Sequence, residues 1–146
     1  MIIREADLEK DALAIAEGAK AFAEKMALGA FISDDFVGAL SKIVTLSSVK
    51  IYIAEHDGRP VGGLGVNFAP YMWNHDLLIA DELFWWVDEA APFKTAVMLF
   101  NQAMIEIDEK EAVPMFRALE ASGKGVKKMY KKHGMRPMET LYARVP

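Results

Sequence analysis

Leu77-Leu78-Ile79-Ala80-Asp81-Glu82-Leu83-Phe84-Trp85-Trp86-Val87 is an apolar run interrupted only by Asp81 and Glu82. Its aliphatic and aromatic side chains predict a long strand, and one this apolar belongs inside a sheet covered on both faces. Period-two alternation sets Glu82, Phe84 and Trp86 on one face and Asp81, Leu83, Trp85 and Val87 on the other. Asp88-Glu89-Ala90-Ala91-Pro92 ends the run. Beyond it Phe93, Val97, Phe100, Met104 and Ile107 mark one face of a helix, with Pro92 in the first turn, where its missing N–H is harmless. Val113 to Leu119 reads as the next strand. This strand–helix–strand order indicates a crossover unit in a mixed sheet.

Upstream, the pattern is that of a meander. Val49, Ile51 and Ile53 alternate along a strand that ends at His56-Asp57-Gly58-Arg59, and Asp-Gly between two such runs is a strong hairpin signal. The return strand runs from about Pro60 to Phe68, where Gly62, Gly63 and Gly65 mark a bulge or a close backbone approach. Ala69 to Asp76, containing Pro70 and Asn74, reads as a connection.

Ile2 and Ile3 start a short first strand. Leu8, Ala12, Ile15, Ala19, Phe22 and Met26 then form one helical stripe, with Asp7 as N-cap. Ser33-Asp34-Asp35 opens a second helix that buries Phe36, Leu40 and Ile43. Gly123 precedes a short basic helix that ends at Gly134, a natural C′ residue, and Pro137 to Val145 is the last strand. The expected fold class is α/β: one domain over residues 1–146, a central, mostly antiparallel twisted sheet with helices on both faces.

Of the 146 residues, 53% are hydrophobic and 26% charged, the balance of a globular chain. No apolar run approaches the roughly 20 residues of a membrane-spanning helix. The acidic start at Met1-Ile2-Ile3-Arg4-Glu5 does not resemble a signal peptide. A cytoplasmic protein without a membrane partner is expected. The absence of cysteine excludes disulfides, thiolate metal sites and a cysteine nucleophile. His75 beside Asp76 is too sparse a set for a metal, and none is expected. His56 and His133 are expected at the surface. The net charge of −4 divides unevenly, −9 over residues 1–119 and +5 over 120–146. An acidic body does not suit a nucleic-acid binder.

Two stretches carry a family resemblance. Glu82-Leu83-Phe84-Trp85-Trp86-Val87-Asp88 is similar to the fourth strand of the GNAT superfamily of acetyl-CoA-dependent N-acetyltransferases. Met129-Tyr130-Lys131-Lys132-His133-Gly134-Met135 resembles that family's Leu-Tyr-x-x-x-Gly-Phe. The element order is similar over nearly the whole chain, and the aromatic strand also resembles small GNAT proteins of tailed bacteriophages. The resemblance implies acetyl-CoA as co-substrate and direct transfer to a primary amine, on a small molecule or a peptide. It implies that the main chain of Trp85 and Val87 holds the pantetheine arm. The start of the following helix, at Lys94, Thr95, Ala96 and Val97, would then meet the pyrophosphate.

The family's loop, Arg/Gln-x-x-Gly-x-Gly/Ala, falls on Ala91-Pro92-Phe93-Lys94-Thr95-Ala96, where only Ala96 matches. Two readings follow. Lys94 and Thr95 supply charge and hydroxyl donors in place of glycine, or the site has decayed and the fold serves as a protein-binding or structural module.

Tyr130 is the candidate general acid for the leaving thiolate, since a phenol with a pKa of about 10 is protonated at neutral pH. Its alternative role is packing, because Val126, Met129 and Tyr130 share a helical stripe. Glu82 is the candidate general base, a carboxylate inside an apolar strand whose burial would raise its pKa. Its alternatives are to point outward or to pair with a lysine. Lys124, Lys127, Lys128, Lys131 and Lys132 either include a contact to the 3′-phosphate or form a solvated face. Trp73, Trp85, Trp86 and Tyr71 could line an acceptor pocket, bury a homodimer surface or pack the core.

Overall fold

A computed structural model describes residues 1–25, 32–118 and 124–138. The elements in chain order are β1 (Ile2–Glu5), α1 (Leu8–Lys25), α2 (Phe36–Val44), β2 (Val49–His56), β3 (Arg59–Tyr71), β4 (Asn74–Val87), α3 (Thr95–Glu109), β5 (Val113–Met115) and α4 (Lys124–Lys132). The sheet order is β1-β2-β3-β4-β5. The first four strands form an antiparallel meander and β5 joins parallel to β4, as an α/β mixed sheet requires. The expected strand from Pro137 to Val145 lies almost wholly outside the described residues, as do Met26, Leu119 and Gly123.

One face of the sheet buries Ile51, Ile53 and Phe84 against Ile15 and Ala19 of α1, with Phe36, Leu40 and Val44 of α2 beside them. The other buries Tyr52, Leu64, Val66 and Ala80 against Leu99, Phe100, Ala103, Met104 and Ile107 of α3 and Tyr130 of α4. The Asp57-Gly58 turn has both residues at positive φ, 51° and 75°, the twist-matched geometry that Asp-Gly favours. Gly134, at φ 74°, ends α4: its N–H donates to Lys131 and that of Met135 to Tyr130, closing a Schellman motif.

Several expectations are corrected. Ala12 is exposed, and the buried place on α1 belongs to Asp11, whose carboxylate is held by the Arg4 guanidinium at 2.7 and 2.9 Å. Ile43 is exposed and Val44 packs instead, because α2 is rotated relative to the expected stripe. Phe93 is exposed because the chain makes a turn through Pro92–Lys94 and α3 starts only at Thr95; Val97, inside α3, is exposed at the margin of a buried face formed by Thr95, Leu99, Phe100, Ala103, Met104 and Ile107. Pro92 therefore precedes the helix.

Ala69 to Asp76 is mostly strand, with only Met72 and Trp73 in the turn. Pro70 is tolerated because β2 pairing with β3 ends at Asn67, so beyond it β3 is an edge on that side.

Candidate active site

The long strand β4 carries the feature that arranges the site. Gly65 faces Phe84 and Val66 faces Glu82, so Leu83 is an extra residue on β4, a β-bulge. Cross-strand partners share a face. Glu82 therefore lies with Val66 and Ala80 on the α3 side, while Phe84 and Trp86 lie on the α1 side. Trp85, opposite Leu64, and Val87 return to the α3 side. Strict alternation, which separated Glu82 from Trp85 and Val87, is thus overturned by a single inserted residue.

Parallel pairing of β4 with β5 covers only Ile79–Asp81 against Val113–Met115. From Glu82 to Val87 the outer edge of β4 has no strand partner among the described residues. Arg117, just past β5, reaches across this opening. Its guanidinium donates to the carbonyl of Glu82 and lies 3.3 Å from a carboxylate oxygen of Asp81.

The Glu82 side chain is only 2% exposed. Its Oε2 accepts the backbone N–H of Arg117 at 3.3 Å. Burial pushes its carboxyl up to about 7; the Arg117 N–H and charge pull it down, and Asp81 pushes it further up. Tyr130 on α4 is also buried, and its hydroxyl donates to the carbonyl of Arg117 at 2.9 Å. Burial, and then the charge of Glu82, raise the phenol well above its ordinary value, so it stays protonated. The two candidate proton-transfer groups thus meet on one residue. Around them Trp85 stacks on Phe100 at 5.9 Å between ring centroids, and Tyr130 lies 5.5 Å from Phe100. The Trp85 Nε1–H is buried and has no acceptor among the described residues.

The remaining predicted contacts gather at the start of α3. Lys94 is its N-cap and is exposed, with ordinary helical backbone at φ −88° and ψ −1°. Nothing in that conformation demands the glycine of the family loop. Thr95 is fully buried; its hydroxyl donates to the Pro92 carbonyl at 2.7 Å and lies 3.1 Å from Sδ of Met1, so it is engaged within the protein. The amides of Ala96 and Val97 have no acceptor among the described residues, as expected of donors in a first helical turn.

A cleft of about 230 Å³ opens on the α1 side of the β4 end, lined by Phe22, Lys25, Trp86, Asp88 and Glu89 among others. Trp86 is wedged between α1 and β3: a Cβ at Gly18 or Gly63 would collide with its ring. Trp73, 77% exposed, sits at the β3–β4 hairpin tip, about 40 Å along the strand at roughly 3.3 Å per residue. It is not brought to the site, and neither is Tyr71. His75 and Asp76 are exposed, and no three His, Asp or Glu side chains gather as a metal site among the described residues. All five lysines of α4 are exposed.

Sequence reasoning did not single out Arg117, Asp88 or Glu89. For Arg117 the available signal was one cation set in the otherwise uncharged stretch Val113–Leu119.

Neither a protein-family model nor a curated protein matches the chain. Solved structures do. A GCN5-related N-acetyltransferase from Ralstonia eutropha JMP134 is similar with a TM-score of 0.77 at 19% identity, over 99% of this chain and 97% of that one. A probable acetyltransferase gives 0.74 at 20%, over 100% and 97%. The chain has the GNAT fold. The same GNAT fold occurs in a transcriptional regulator from Bacillus halodurans C-125, with a TM-score of 0.73 at 20% identity over 98% of each chain. Architecture alone therefore leaves the activity to be argued from the site.

Proposed function

We propose that this GNAT-fold chain is an acetyl-CoA-dependent N-acetyltransferase that passes the acetyl group directly to a primary amine. The observation that carries the reading is the joint attachment of Glu82 and Tyr130 to Arg117, beside the unpaired edge of β4. With a carboxyl near 7, Glu82 is partly ionised at neutral pH and suited to take the proton an ammonium must lose. Tyr130 holds its proton at the same pH and so has one to offer a departing thiolate, although the upward shift makes it a weaker acid than a free phenol. A bound thioester supplies the electrophilic carbonyl. Among the described residues the outer edge of β4 beyond Glu82, Trp85 and Val87 included, has no strand partner and suits a pantetheine arm. The amides of Ala96 and Val97, without an acceptor among the described residues, suit a pyrophosphate, with Lys94 adding charge beside them. Thr95, whose N–H and hydroxyl both donate to the Pro92 carbonyl, would contribute neither. In the cleft, Asp88 and Glu89 outweigh Lys25, a balance that favours a cationic amine acceptor.

Isothermal calorimetry with acetyl-CoA and CoA tests this reading before any acceptor is known. Micromolar-range binding is expected. A folded protein that binds neither at millimolar concentration overturns it, and favours the second reading, a GNAT-fold binding module. One observation supports that alternative: the Tyr130 hydroxyl already has an acceptor inside the protein.

A further inference from the structure

We propose that Arg117 is the positioning residue of this site, its backbone holding the Glu82 carboxyl and the Tyr130 hydroxyl while its guanidinium fixes that backbone across the gap between β4 and β5. The inference rests on the acetyltransferase reading for its kinetic arm only. The N–H of Arg117 reaches Glu82 Oε2 at 3.3 Å and its carbonyl accepts from Tyr130 at 2.9 Å. These groups lie on opposite sides of one Cα, so the orientation of a single residue sets the placement of both side chains. Arg117 lies two residues beyond the last pairing of β5, at Met115, where the strand ladder no longer fixes the chain. The side chain takes over that role. Its guanidinium donates to the Glu82 carbonyl and pairs with Asp81 at 3.3 Å, two anchors on adjacent residues of β4. A planar fork can hold both at once, whereas an ammonium is a single point charge on a flexible stem.

The guanidinium bonds the main-chain oxygen of Glu82 and not its carboxylate. Arg117 therefore holds the strand without neutralising the candidate base, which is left free to exchange a proton. Among the described residues, the charged and titratable groups facing Glu82 are Asp81 from its own strand, Arg117 from the segment after β5 and Tyr130 from α4. On β3 the facing residue is Val66.

Two variants separate charge from position. Arg117→Met removes both, and Arg117→Lys keeps the charge but loses the fork. Glu82 is titrated by NMR in the free protein labelled with carboxyl-¹³C glutamate, with Glu82→Gln for assignment. In Arg117→Met the midpoint should rise by about one unit, as loss of a nearby cation requires. In Arg117→Lys, which keeps the charge but loosens the N–H bond to Glu82, it should rise less than in Arg117→Met. Turnover should fall about 10- to 100-fold in both, the scale of a misplaced reacting group. KM for acetyl-CoA should change less than about twofold, and the acidic limb of the pH–rate profile should move further in the methionine variant than in the lysine variant.

An unmoved Glu82 midpoint in Arg117→Met overturns the proposal, whether or not the protein transfers an acetyl group. So does parent-like turnover in Arg117→Lys, which decides the matter if the methionine variant does not fold. Activity that falls only in step with the folded fraction, at an unshifted pH profile, also overturns it. A parent protein that binds no acyl-CoA refutes the enzymatic reading and leaves the NMR arm to decide the role of Arg117.

Discussion

The carboxylate of Glu82 and the phenol of Tyr130 are hydrogen-bonded to the N–H and the carbonyl of the same residue, one accepting and the other donating. They come from β4 and α4, elements separated by the whole crossover unit. Removing either hydroxyl or carboxyl should therefore have a signature of its own.

Tyr130→Phe keeps the ring and most of the packing against Phe100 and Trp85. Turnover should drop about 100- to 10,000-fold with acetyl-CoA affinity nearly unchanged. Stability should fall by about 1 kcal/mol, because the Arg117 carbonyl loses its partner. A drop in turnover of less than about threefold would reduce Tyr130 to a packing residue.

Glu82→Gln should remove the acidic limb, which in the parent rises as pH climbs through about 7. Its effect on stability has the opposite sign to that of a paired carboxylate. The native value near 7 lies above the unfolded value of about 4.3, so the native state holds the extra proton between the two. The stabilising contribution is fully present below about pH 4 and lost as pH rises to 7. Glu82→Gln should be more stable than the parent at pH 8, by about 1–3 kcal/mol, and no better at pH 4. Urea unfolding at both pH values checks this. A variant less stable at pH 8 would mean that the Arg117 N–H and charge outweigh the cost of burying the carboxylate.

Asp11 should behave in reverse. The Arg4 guanidinium holds its carboxyl below the ordinary value, and the N–H of Asp7 adds a further hydrogen bond at 2.8 Å. Its contribution is present above the unfolded pKa of about 3.9 and disappears as pH falls through the lower native value. Asp11→Asn should destabilise by about 1–3 kcal/mol at pH 7 and much less near pH 2. A difference between parent and variant that does not shrink in acid would contradict the ion pair.

Gly63→Ala should destabilise by about 1–3 kcal/mol, since its Cβ would enter the Trp86 ring. Combined with Trp86→Leu, the alanine should cost markedly less, a coupling that a double-mutant cycle reads directly. Additive effects would show that Trp86 rotates away freely.

Much of the fold was legible because local chemistry decided it. The Asp57-Gly58 turn and the Gly134 helix end need positive φ, and the residues that tolerate it stand in those places. The Leu83 bulge had no such mark on its own strand. Its trace is Gly65 on the facing strand, and glycine there equally reports the nearby Phe84 ring. That ambiguity is why Glu82 was recognised as a candidate base but grouped with Phe84 and Trp86, whose face it does not share. The start of α3 was misread for a similar reason: Pro92 fits a first helical turn and a preceding turn equally well. Arg117 acts through its main chain, which no side-chain pattern encodes. The Asp11–Arg4 pair was missed because a buried acid on a helical stripe reads as a break in the stripe until its partner on β1 is known.

The three tryptophans of the chain stand on β4 or in the turn just before it, in three different surroundings. Trp73 is in water at the hairpin tip, Trp85 is stacked in an aromatic cluster beside Tyr130, and Trp86 is clamped between α1 and β3. Their fluorescence should differ accordingly, red-shifted and readily quenched by iodide for Trp73, blue-shifted and protected for Trp86. Replacing Trp73 with phenylalanine would leave emission only from the end of the strand that carries the candidate site. The protein thereby holds an intrinsic optical reporter whose signal comes from the place where a ligand would bind.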